Sequence, residues 1–147
     1  NVHAMSYLKP WQSYQQVSTN TASPGHLVVM LYDGAINFLE RALSGFALED
    51  PLEFNTTISN NILRAQQILT ELNCSLDMER GGEISTTLRR LYHYMDDRLT
   101  ESNLSKSREG IDETIRHLTV LRDAWREMLS GAGATSPGSV TSLSACV

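Results

Sequence analysis

Lysine is nearly missing from this chain of 147 residues, occurring only as Lys9 and Lys106. Arginine supplies the rest of the 12 Lys+Arg, scattered along the chain, against 17 Asp+Glu for a net charge of −5. A nucleic-acid binder gathers cations on one face to displace counterions from phosphates, and no such face is legible. Cysteine is as scarce. Cys74 and Cys146 read as isolated thiols, too few for the disulfide framework of a small secreted domain, so a reducing cytoplasm is expected. Long apolar runs are missing too. The longest, Leu27 to Tyr32, ends at Asp33, far short of the roughly 20 residues of a spanning helix. Residues 1–25 hold no apolar stretch of the secretory type. Membrane insertion is therefore not expected, and Met5 is a candidate native start, with residues 1–4 as a cloning remnant.

What is present is helical periodicity. From Leu27, apolar residues recur at Leu31, Ala35, Phe38 and Ala42, flanked by Val28, Tyr32, Leu39, Leu43 and Phe46. Steps of three and four define a helix, and two adjacent rows give it a wide buried face. Ser23 is a good N-cap, and Pro24 suits the first turn because its missing N–H has no partner there anyway. Asp50-Pro51-Leu52-Glu53 repeats that signal. A second helix carries Ile58, Ile62, Ala65, Leu69, Leu72 and Leu76, and "DMERGG" breaks it. A third carries Ile84, Leu88, Leu91, Met95 and Leu99. A fourth, capped by Ser105 or Ser107, carries Ile111, Ile115, Leu118, Leu121, Trp125 and Met128. Four such helices on short loops predict an all-α, antiparallel up-and-down four-helix bundle over residues 23–129. Residues 1–22 read as a polar N-terminal arm or short helical cap. Residues 130–147, small and uncharged, read as a disordered tail, in part vector-derived.

Catalysis finds little support. A di-iron bundle needs inward Glu and paired Glu-x-x-His motifs; none occurs, and Glu40, Glu71 and Glu101 lie off the apolar stripes, so no metal or other cofactor is expected. Glu113 and His117 suit a solvated helix pair. A phosphotransfer or signalling bundle is the alternative, with His93 or His117 as phosphoacceptor, though neither precedes the Lys-Gly pair expected there. No strained Gly-x-Ser-x-Gly turn occurs. Trp125 reads as a core residue whose indole N–H needs a partner. The apolar surplus is larger: Leu63 and Ile68 fall outside the second stripe, and Tyr92 and Tyr94 outside the third. It fits either loose core packing or a groove for another helix.

Three blocks carry a resemblance. "SYQQVSTNTASPGHLVVMLYDGAINFLERA" (residues 13–42), "LDMERGGEISTTLRRLYHYM" (76–95) and "RDAWRE" (122–127) are similar, in order and spacing, to the signature of the FliS-type flagellin export chaperones. His93 stands where an acid is common and Asn37 where a basic residue is. The resemblance implies a non-enzymatic cytoplasmic chaperone. It would bind the C-terminal region of flagellin, prevent early polymerisation and aid delivery to the flagellar export gate, with room for a co-chaperone. It further implies an apolar groove on the second and third helices, here Ile58, Ile62, Ala65, Gln66 and Leu69 with Leu88, Leu91, Tyr92 and Met95. In the arm, Trp11, Tyr14 and Val17 are three apart, so a helical turn would align them. That edge is either incidental in a mobile terminus or a lid over the groove, the second agreeing with what the resemblance suggests for Tyr14.

Overall fold

Ser23 and Asp50 start the first two helices as their sequence context requires. In the computed structural model, which describes residues 23–131, Ser23 caps α1 (Pro24–Gly45) by accepting from the His26 N–H, and Asp50 caps α2 (Pro51–Cys74) by accepting from the Glu53 N–H at 3.0 Å. Asp77 accepts from the Glu79 and Arg80 N–H groups to open α3 (Met78–Ser105). α4 runs from Glu109 to Ser130. Neither serine caps it in full. The N-cap is Arg108, with no side-chain hydrogen bond, while Ser107 Oγ accepts from the Glu109 N–H at 3.3 Å.

The second helix ends ahead of most of "DMERGG", at residues 75–77, and a further interruption lies inside α3. Gly82, at φ +51° and ψ −125°, interrupts α3 and the helix resumes behind it. An L side chain is strained in that conformation. Lys106 closes α3 in the left-handed region at φ +51°.

The helices form a ring in which α1 packs on α2 and α4, α2 on α3, and α3 on α4. This accounts for much of the apolar surplus. α1 lies between two neighbours and needs a buried row for each; Val28, Tyr32 and Leu39 of the second row are as buried as Leu31 and Ala35 of the first. Leaving those three in water would forfeit on the order of 5–9 kcal/mol, comparable to the whole net stability of a domain. Ile68, outside the main α2 stripe, is likewise fully buried, whereas Leu63 is not. Ile84 and Met128, expected on core stripes, are exposed, Ile84 by 61%. Glu71, expected off the core, is buried.

Where α3 meets α4 the backbones nearly touch. The Gly110 N–H donates to Ser102 Oγ at 2.9 Å, and a Cβ on Gly110 would press into the Arg98 carbonyl. Among the described residues no helix is long and apolar enough to cross a membrane.

Candidate functional site

The nine residues expected to line a groove on α2 and α3 divide three ways. Ile58, Ile62, Ala65, Leu69, Leu88, Tyr92 and Met95 belong to the hydrophobic core. A stripe at steps of three and four on a bundle helix faces its partners, so these side chains hold α2 and α3 from inside. Gln66 and Leu91 are half-buried, and they lie on different sides of the helix pair. Gln66 Nε2 donates across to the Asp96 carbonyl at 3.3 Å and to Thr100 Oγ1 at 3.0 Å, which places it on the outer α2–α3 seam. Leu91 precedes Tyr94 by one turn and Arg98 by two, and both of these bond to α4.

That outer seam is polar. Ser59 Oγ donates to Asn103 Oδ1 at 2.9 Å. The Lys106 ammonium donates to Ser59 Oγ, the Asn103 carbonyl and Asn103 Oδ1 at 2.6–2.9 Å. Arg89 Nε donates to Asn73 Oδ1 at 3.1 Å. The last partly open carboxyl near the seam, Asp96, is held above its usual range by burial. An incoming segment therefore meets hydrogen-bonding side chains first and apolar floor only behind them.

The residues of the three signature blocks converge instead on the other side of the core. Tyr32 of α1 and Tyr92 of α3 share a hydroxyl–hydroxyl bond of 2.6 Å, and the Trp125 side chain of α4 lies close enough to lower the Tyr32 hydroxyl slightly against the effect of burial. All three are nearly or wholly out of solvent. Burial pushes Tyr32 up to about 12 and Tyr92 well above the ordinary tyrosine range. Just outside this network, Asp33 accepts from Arg122 at 3.1 Å and from Arg126 at 3.0 Å. Tyr32 and Asp33 of the first block, Tyr92 of the second and Trp125 of the third thus meet where three helices join. Trp125 is a core residue, as the sequence suggests.

On the α3–α4 face, Tyr94 donates to Glu113 at 2.5 Å, beside Arg98 at 2.8 Å from the same carboxylate. The hydrogen bond from Tyr94 and then the Arg98 guanidinium lower the Glu113 carboxyl, while the same bond raises Tyr94. His117 stands 3.6 Å from Glu113 and edge-on to Tyr94. One phosphoacceptor candidate is thereby engaged in a surface cluster; the other, His93, is exposed on α3. Among the described residues no three His, Cys, Asp or Glu side chains are grouped to hold a metal. Trp11, Tyr14 and Val17 lie outside the described residues.

The model of the family described as flagellar protein FliS matches residues 7–132 of this chain. A flagellar secretion chaperone FliS of Bacillus subtilis is 33% identical over 135 residues, which cover 92% of this chain and 97% of the relative. One of Salmonella typhimurium is 36% identical over 121 residues, covering 80% and 87%. One of Campylobacter jejuni is 33% identical over 118 residues, covering 80% and 89%.

Proposed function

The chain belongs to the FliS family of flagellar proteins, and from that premise we propose that it is a non-enzymatic flagellar export chaperone whose client is flagellin. It binds the C-terminal segment of newly made flagellin in the cytoplasm, keeps it from polymerising and hands it to the flagellar export gate, with or without a co-chaperone. The observation that carries this reading is that Tyr32, Asp33, Tyr92 and Trp125, all from the signature blocks, stand where α1, α3 and α4 meet, Tyr32 bonded to Tyr92 and Asp33 paired with Arg122 and Arg126. The signature is thus spent on making this bundle, the scaffold that the relatives named as chaperones share in sequence.

The physical chemistry fits the role. Flagellin's terminal segments coil against each other in the filament, so before assembly they expose apolar stripes. A chaperone must cover such a stripe and still release it, so ordering the client should offset much of the burial free energy. The client docks along α2 and α3. Gln66 and the polar seam meet its backbone, and Ile58, Ile62, Ala65, Leu69, Leu88, Tyr92 and Met95 hold the floor in place, with Leu91 at the far edge. Trp11, Tyr14 and Val17 act as a lid on that face, displaced by the client. A lid closed most of the time lowers apparent affinity by the fraction open.

Seeded polymerisation of purified flagellin, followed by light scattering, tests the reading. An equimolar amount of the full chain should arrest filament growth. Growth at the rate seen without it would overturn the proposal.

A further inference from the structure

Most arginines of this surface that are paired find carboxylates: Arg98 with Glu113 and Glu101, Arg122 with Asp33 and Asp123, Arg126 with Asp33. Arg41 of α1 and Arg64 of α2 are different. Both are exposed. The Arg41 guanidinium carbon lies 5.4 Å from the centre of the Phe38 ring, and that of Arg64 lies 5.7 Å from the same centre. Neither joins an ion pair with any described residue. The adjacent acid, Glu40, is one residue from Arg41 on the helix and so projects from another face.

Two like charges gathered on one ring repel each other, and in a chain of net charge −5 carboxylates are the commoner neighbours. Each guanidinium lies over the ring with no carboxylate on it among the described residues, so its N–H donors are free to take a carboxylate bidentately. One turn back from Arg64 on α2, Asn61 donates to the Thr57 carbonyl, and its enclosed Oδ1 accepts from no described residue. Asn37 of α1 and Asn60 of α2 are exposed nearby in sequence and add no charge of either sign.

We propose that Arg41 and Arg64, gathered on Phe38, form a docking site for an acidic peptide segment of a partner protein. A peptide brings side-chain carboxylates at a spacing that lets both guanidiniums be met at once. Free phosphate brings only an anion. The site lies on the α1–α2 edge, apart from the α2–α3 seam, and does not depend on the identity of the client there.

Fluorescence anisotropy of a labelled oligoglutamate peptide, titrated with the full chain at low salt, tests this. Saturable binding is expected, weakened about tenfold by Arg41→Gln with Arg64→Gln. Arg41→Lys with Arg64→Lys keeps the charge and loses the planar fork, and should weaken binding about threefold or more. Arg90→Gln with Arg116→Gln removes the same charge elsewhere and should leave binding nearly unchanged. Circular dichroism establishes that each variant is folded. Absence of saturable binding overturns the proposal. So does equal weakening by the Arg90/Arg116 pair, lysine variants that bind like the native chain, or inorganic phosphate that displaces the peptide at equal concentration.

Discussion

Replacing Tyr32 by phenylalanine should harm the bundle more than replacing Tyr32 and Tyr92 together. The two hydroxyls satisfy each other in the interior, 2.6 Å apart. Tyr32→Phe strands the hydroxyl of Tyr92, which is 2% exposed. An orphaned buried polar group costs about 1–3 kcal/mol, and that is the loss expected. Tyr92→Phe strands the fully buried Tyr32 hydroxyl in the same way and should cost about as much. The double variant strands neither. It should therefore recover about 1–3 kcal/mol relative to Tyr32→Phe alone, although it carries one more substitution. Urea unfolding followed by far-UV circular dichroism measures all four proteins, and a constant slope with denaturant establishes that the unfolding reaction is the same. A double variant less stable than Tyr32→Phe, with the two losses simply adding, would refute the network.

The same tyrosines set an alkaline limit. The unfolded chain gives up the Tyr32 proton near 10 and the folded chain near 12, so stability is intact below pH 10 and falls by about 2–3 kcal/mol as pH rises to 12. Tyr92 acts in the same direction, and thermal melts at stepped pH should show the slope vanish in the double phenylalanine variant. Gly110→Ala should cost about 2–4 kcal/mol by urea unfolding, since its methyl would sit 2.5 Å from Ser102 Oγ and 3.0 Å from the Arg98 carbonyl carbon and push α3 and α4 apart. Ala65→Asp, which on a groove rim would weaken client binding in a folded protein, buries an unpaired carboxylate at a fully enclosed position. It should cost more than about 3 kcal/mol and show as a collapsed melting transition. Trp125→Ala should cost about 3–5 kcal/mol while calorimetric affinity for flagellin, read well below the melt, changes much less.

The sequence made the helices legible through their starts. Ser23-Pro24 and Asp50-Pro51 are local signals, satisfied by a backbone N–H three residues on. Periodicity also assigned the core stripes of α1 and α2, because a stripe is a property of one helix. It could not say whether Tyr92 faces a groove or Tyr32. That depends on the register of α3 against α1, sixty residues away in the chain. The polar seam was hidden for the same reason. Ser59, Gln66, Asn103 and Lys106 look like ordinary surface residues until two helices are placed side by side. Arg41 and Arg64 likewise become a pair only through Phe38. Ile84 keeps the phase of the stripe, one turn before Leu88, yet stands exposed just behind the interruption at Gly82.

Hydrogen–deuterium exchange on the intact chain, with and without the C-terminal segment of flagellin, addresses the central claim most directly. The account predicts saturable protection along α2 and α3, residues 51–105, with the Gln66 and Thr100 turns among the most protected. Unchanged exchange at saturating peptide, or protection confined to α1 and α4, would contradict it.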